Sequence, residues 1–324
     1  MNRRAFIKGI GAAFLGGTAG LALGQAPRAA GEPPAHPSER SATPMRTRKL
    51  GRTGHRSSLI TFGGIVVASM AQAEADRVVG DAIDAGVNEF DVAPSYGDSE
   101  LKLGRALAGK RDRVFLHCKT LERTKNGAAK ELRESLERLR TDRFDLYQLH
   151  GLNEPKELEQ VLAPGGAMEA FLAAREAGLI RFIGVTGHRP STLVEAMKRF
   201  PFDTVMTPVN FVLEQRSRFA AELLAEAARR GVGVIAIKAL AARPWRKGEP
   251  HKYPKCWYKP VEDDRETDLA LGFALSQPVA TVIPPGDVRL LRKAAAAAQR
   301  YRRLAPAEAA ELSALAARLE PIFG

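Results

Sequence analysis

The chain is poor in sulfur and in aromatic rings. It holds two cysteines, Cys118 and Cys256, in 324 residues. Two thiols cannot make a disulfide framework, so an apolar core must hold the fold. Aromatic residues make up 6% of the chain, and tryptophan occurs twice. No stripe of arginines and aromatics appears, and the basic residues are dispersed, so nucleic acid is not an expected partner despite a formal charge of +12. The longest uncharged apolar run, near the N-terminus, is short for a membrane span. What the chain does have is 45% hydrophobic residues, ample for one large α/β domain.

The first 44 residues differ from the rest. Arg3-Arg4, Phe6 and Lys8 precede an uncharged run from Gly9 to Gly24. Charge, apolar stretch and small residues follow one another as in a signal peptide. The arginine pair resembles the twin-arginine export signal of bacteria, a route that carries folded proteins. Residues 1–30 are therefore expected to be such a signal, and the mature protein to be periplasmic. Ala22-Leu23-Gly24 and the Ala29-Ala30 region are the candidate cleavage sites; an uncleaved signal would remain as a membrane anchor. Gly9-Ile10-Gly11 is not a dinucleotide loop, because the third glycine and a preceding strand are missing. Five prolines (Pro27, Pro33, Pro34, Pro37, Pro44) and few large apolar groups follow. Residues 31–44 are expected to be a flexible linker, and 45–324 the folded domain.

From Met45 a short hairpin leads, with Arg52-Thr53-Gly54 at its turn. Strand and helix patterns then alternate. Strands are expected at residues 57–64, 88–93, 113–119, 144–150, 180–186, 203–210, 232–240 and 279–283. Helices are expected at 74–85, 100–107, 128–139, 167–177, 191–200, 219–230, 265–276 and 288–302, with a last one at 307–319. Ala75, Val78, Val79, Ala82 and Ile83 share one helical face. The strands are continuous apolar runs, as expected when both faces are covered. Eight such units make a closed parallel (β/α)8 barrel, the TIM barrel. An open doubly wound sheet would want a glycine-rich phosphate loop after its first strand, and Thr61-Phe62-Gly63-Gly64 supplies none. The longest insertion, 241–264, carries Trp245, Tyr253, Trp257 and Tyr258. It reads either as a lid or substrate wall, or as a loop closed by its own side chains.

In such a barrel, chemistry belongs at the C-terminal strand ends. Asp91 lies in the apolar run Phe90-Asp91-Val92-Ala93, and a buried carboxylate there asks for a cation. Tyr96 follows in a turn marked by Pro94, Gly97 and Asp98. Lys119 closes His117-Cys118-Lys119, and His150 closes the strand that begins at Phe144. If Lys119 points into the barrel so does His117, while Cys118 faces the helices. A free phenol titrates near 10, too high for an efficient acid at neutrality. An ammonium beside it favours the phenolate, and a carboxylate keeps that ammonium charged and in place. Acid, phenol, lysine and histidine at successive strand ends thus make a proton donor for a carbonyl.

Three phrases, FDVAPSYGDSELKLGRAL, CKT and DLYQLHG, resemble the aldo-keto reductase family, and the likeness runs from about Met45 to Ala298. The resemblance implies that Tyr96 protonates a carbonyl oxygen, with Asp91, Lys119 and His150 beside it, while a nicotinamide cofactor gives hydride to the carbon. It also implies cofactor contacts from Thr186, Gly187, His188, Met206, Lys238, Leu240, Gly286, Arg289 and Arg292. This side departs from the family. The usual Ser-Asn after the fifth strand reads Thr186-Gly187, the glutamine of the sixth strand is Met206, and Tyr-Ser-Pro-Leu of the seventh is Ile237-Lys238-Ala239-Leu240. Lys238 would meet the pyrophosphate as a cation. Asp287 would resist the 2′-phosphate of NADP while Arg289 and Arg292 are available for it, which leaves NADP and NAD nearly level; the resemblance puts NADP first. No metal is expected. Two alternatives stand beside this reading: a barrel that serves as a binding or accessory protein of the envelope, and a metal-dependent hydrolase using Asp91, His150 and His188. The partners expected are a small carbonyl or alcohol compound and the twin-arginine export machinery.

Overall fold

The structure, a computed structural model, describes residues 45–323. The expected signal peptide (1–30) and linker (31–44) lie outside the described residues. Parallel strands Phe62–Gly63, Glu89–Asp91, Phe115–Thr120, Phe144–Leu149, Ile180–Thr186, Thr204–Pro208, Gly233–Ile237 and Thr281–Ile283 are neighbours in chain order. A parallel bridge between Ile60 and Val282 joins the last strand to the first and closes the ring. Hydrogen bonds from Thr61 N to Val282 O and from Val282 N to Leu59 O, each 3.0 Å, hold that seam. The expected eight-unit parallel barrel is what the chain forms.

Helices pack outside because their apolar positions recur every three or four residues. Helix Lys125–Leu139 buries Ala128, Leu132, Leu136 and Leu139 on one face. Thr124 caps it by accepting from Gly127 N. Two helices were not foreseen, Pro155–Leu162 and Phe211–Ser217. The second is only 7 residues long and is set by its cap, Asn210, whose Oδ1 accepts from Val212 N and Leu213 N. Its sequence holds too few turns for a period to show.

The expected strand 57–64 is two elements. Arg56–Ser58 pairs antiparallel with Thr47–Lys49, and only Phe62–Gly63 belongs to the barrel. The hairpin covers the mouth where the strands begin. At its turn Gly51 has φ +51°, and a Cβ there would stand 2.2 Å from Gly233 N. Only a glycine allows that approach. Next to it, Leu50 is fully buried and packs with Phe115, Leu146, Met206, Ile235 and Ile283 in the barrel interior. That cluster is the floor beneath the opposite mouth.

The 241–264 insertion is itself a hairpin, Ala241–Pro244 against Tyr258–Pro260. Both expectations for it hold in part. Trp245 donates to Cys256 O at 2.8 Å and Tyr253 to Glu262 at 2.8 Å, so these two rings close the insertion. Trp257 and Tyr258 instead face the open mouth of the barrel.

Candidate active site

Strand parity brings the first three residues together. Asp91 and Lys119 are inward residues of adjacent strands, and both are buried. Lys119 Nζ lies 2.6 Å from Asp91 Oδ1 and 2.7 Å from Oδ2. It also donates to Val92 O at 3.1 Å and to the Tyr96 hydroxyl at 3.3 Å. The turn after Asp91 aims the phenol: Tyr96 N donates to Ala93 O, and Ser99 Oγ donates to Tyr96 O at 2.7 Å. His150 N donates to Thr120 O at 2.8 Å, and its ring stands edge-on to Tyr96 at 6.0 Å. The four predicted residues therefore share one place. Cys118 faces the helices, as its parity requires, with Sγ 3.5 Å from Glu100 Oε1.

The charges follow from burial and pairing. Burial alone would raise the Asp91 carboxyl, but the Lys119 ammonium and then His117 outweigh it and hold Asp91 below its ordinary range. Burial works against the Lys119 charge, and Asp91 more than restores it, so Lys119 stays an ammonium. His150 is pushed down to about 3, by burial first and Lys119 second, and is neutral at physiological pH. Tyr96 corrects the expectation. Burial raises its hydroxyl more than Lys119 lowers it, so the phenol lies above its usual value. It is held protonated, the form a proton donor needs.

The mouth opens into a cavity of about 460 Å³, lined by Asp91, Tyr96, Lys119 and His150 on one side. Thr186, His188, Met206, Lys238 and Gly286 line the rest. Thr186 Oγ1 accepts from Gly151 N at 2.9 Å and ties the loop after His150 to the next strand. His188 is pushed down to about 4, by burial and then by Lys238. Lys238 has φ +62°, a strained state for a residue other than glycine. Asn210 Nδ2 clamps that turn by donating to Lys238 O at 2.9 Å and Ala241 O at 2.7 Å. The ammonium then lies 5.6 Å from the Trp257 ring and 5.3 Å from the Tyr258 ring. Among the described residues no carboxylate pairs with it, and burial pushes it down to about 8.

Four expected cofactor residues lie elsewhere. Leu240 is in the hydrophobic core. Gly187 is required by packing, since a Cβ there would meet Leu152 O at 2.6 Å. Arg289 is held by Asp287 at 2.9 Å, and Arg292 by Asp81 at 3.0 Å. Conversely, Ile65, Lys255 and Phe323 line the cavity without having been assigned to it, beside Trp257 and Tyr258 of the expected wall. Lys255 crosses from the insertion to donate to Val66 O at 2.7 Å. Phe323 packs on His188 at 5.2 Å and on Trp257 at 5.5 Å. Neither carries a local pattern; only the aromatic content of the insertion pointed to the mouth. Among the described residues no three His, Cys, Asp or Glu side chains are placed to share a metal ion, so the hydrolase alternative has no site there.

Comparison with known proteins agrees with the barrel fold. The aldo/keto reductase family pattern matches residues 59–318. L-galactose dehydrogenase of Arabidopsis thaliana is 29% identical over 61% of this chain and 66% of its own. D-threo-aldose 1-dehydrogenase of a Pseudomonas species is 26% identical over 62% of this chain and 70% of its own. For an oxidoreductase of Bacillus subtilis, 28% identical, the alignment covers 50% of this chain and 55% of that protein, so the matches span little more than half to two thirds of the first curated relatives. Among solved structures, an aldo-keto reductase of Bacillus halodurans in its holo form superposes with a TM-score of 0.66 at 25% identity, over 84% of this chain and 96% of that one. One from Klebsiella pneumoniae, in complex with NADPH, shares the fold with a TM-score of 0.65 at 21% identity, over 86% of this chain and all of its own. The family pattern covers most of the folded domain, and the chain belongs to the aldo/keto reductase family.

Proposed function

We propose that the protein is an NADP-dependent oxidoreductase that reduces an aldehyde or ketone to an alcohol, or runs the reverse reaction. The observation that carries this is Lys119 Nζ, held between the Asp91 carboxylate and the Tyr96 hydroxyl. Tyr96 gives its proton to the carbonyl oxygen. Lys119 then stabilises the phenolate that remains, and Asp91 keeps Lys119 from moving or discharging. Neutral His150, at the edge of the Tyr96 ring, orients the oxygen by a hydrogen bond. A nicotinamide nucleotide held in the cavity would supply or accept the hydride.

The cavity fits such a group. Lys238 is a half-buried cation at its wall with no acid partner among the described residues, as a pyrophosphate site requires. Thr186, His188, Met206 and Gly286 would hold the rest. NAD stays the second candidate, because Arg289 and Arg292 are each occupied by an acid and would have to exchange partners to meet a 2′-phosphate. Two relatives are named as dehydrogenases of sugars, which makes an aldose the first substrate to try. The test is titration with NADPH and NADH, followed by Trp257 fluorescence. Lys238→Met should weaken binding about 10- to 100-fold, the worth of one charge-assisted hydrogen bond. If the wild type binds neither nucleotide, the barrel is instead the envelope accessory protein.

Export by the twin-arginine route and work in the periplasm complete the proposal. Its support is the Arg3-Arg4 pair ahead of the uncharged run to Gly24. Fusing residues 1–44 to a reporter and changing both arginines to lysine should abolish export; an undiminished periplasmic signal would refute it.

A further inference from the structure

The catalytic acid and lysine stand at one end of a longer ladder of buried charge. Glu89 precedes Asp91 by two residues and faces the same way, into the barrel; it is fully buried. His117 precedes Lys119 by two and is also fully buried. The side chains alternate in sign up the barrel. His117 Nε2 lies 3.2 Å from Glu89 Oε1, and its Nδ1 lies 3.1 Å from Asp91 Oδ1. Gln148 faces the same ring, with its amide nitrogen 3.2 Å from Nδ1 and its amide oxygen without a partner. Beyond Glu89, at the hairpin end, His55 Nε2 stands 3.7 Å from Oε2 and its ring stacks on Phe115.

Charge balance decides what this ladder is. Two buried carboxylates face one ammonium, Lys119, so one negative charge is uncompensated unless His117 carries a second proton or Glu89 keeps its own. Among the described residues no in-line donor reaches either Glu89 oxygen, and the His117 ring, at 3.2 Å, is the nearest group able to balance it. A half-turn of the Gln148 amide, whose oxygen and nitrogen exchange places, gives that oxygen an N–H to accept from. We propose that Glu89 and His117 are positioning residues for the proton transfer: Glu89 keeps His117 an imidazolium, and that imidazolium offsets Asp91, so that more of the Lys119 field falls on Tyr96. This rests on the role proposed for Tyr96. Burial would strip the His117 proton, and the close Asp91 and Glu89 carboxylates more than restore it, raising its pKa. At the far end His55 is lowered, chiefly by burial, and adds no competing charge.

The sign for Tyr96 follows. Glu89→Gln removes a distant negative charge and, through His117, a nearer positive one. The phenol becomes harder to ionise. The test uses the purified full-length protein, with and without NADPH, labelled with 15N in histidine and 13C at the tyrosine ζ carbon. His117→Gln and Tyr96→Phe assign the signals. In the wild type, His117 should show two protonated nitrogens above the ordinary histidine value of about 6.5. In Glu89→Gln its midpoint should fall by about 1–3 units, and that of Tyr96 should rise by about half a unit. A singly protonated His117 near neutrality in the wild type overturns the proposal, whether or not the variant folds. So does a Glu89→Gln protein that loses activity with the Tyr96 midpoint unmoved, for then Glu89 is only structural. Because the His117 resonances are read without turnover, the first of these outcomes stands apart from whether the protein reduces carbonyls.

Discussion

Replacing Tyr96 by phenylalanine should lower kcat for carbonyl reduction by roughly 10²- to 10⁴-fold, the usual worth of a positioned general acid. KM should change little, because the ring that packs against His150 and under Lys119 is kept. The fold should survive as well: Lys119 still has Asp91 and Val92 O when the hydroxyl is gone. Neither neighbour can take over the proton: Asp91 holds Lys119 as an ammonium that does not release its own. His150, at about 3, is neutral under assay conditions and has no spare proton to give. Steady-state rates with an aldose or simple aldehyde, beside nucleotide titration of the same variant, measure the effect. A kcat near that of the wild type would move the acid away from Tyr96 and with it the role given to Lys119.

Lys119→Met should be the most damaging change to stability. Asp91, only 2% exposed, would keep its charge opposite His117 alone. Breaking a buried pair from one side costs about 3–5 kcal/mol. Urea unfolding of Lys119→Met against the double variant Asp91→Asn/Lys119→Met measures it, and the double variant should regain part of the loss. Acid unfolding follows the same pair. Asp91 is held below its ordinary carboxyl value, so its contribution is complete above the unfolded value of about 3.9. It disappears as pH falls through the lower folded value. Asp91→Asn should therefore show a shallower loss of stability below about pH 4 than the wild type. Equal steepness would mean that the pair does not govern acid unfolding.

Much of this arrangement was legible in the residues. Eight apolar runs separated by helix-period segments led to the barrel because continuous burial leaves a continuous run. Asp91, Lys119 and His150 were readable as strand-end polar groups in apolar surroundings, and Tyr96 by its place in a turn. Glu89 was equally readable, since an acid two residues before Asp91 must share its face; the eye stops at the strand end. The cofactor side was harder. Arg289 and Arg292 look available in sequence, yet each is taken by an acid: Asp287 lies two residues before Arg289, and Asp81 lies 211 residues before Arg292. The partner of Arg292 is set by folding, not by spacing. Short elements failed for another reason. Helix Phe211–Ser217 and strand Phe62–Gly63 span less than the length over which a period can be told.

The outward turn of Cys118 has a chemical consequence. Its thiol is one peptide away from the ammonium at the heart of the reaction, yet the strand's pleat sets it behind the barrel wall. Burial, and then Glu100, push it well above the ordinary thiol value, so almost no thiolate exists to be attacked. Thiol reagents entering by the mouth would meet phenol, imidazole and ammonium, and not this thiol. Cys118 is thereby kept from oxidants that enter by the mouth.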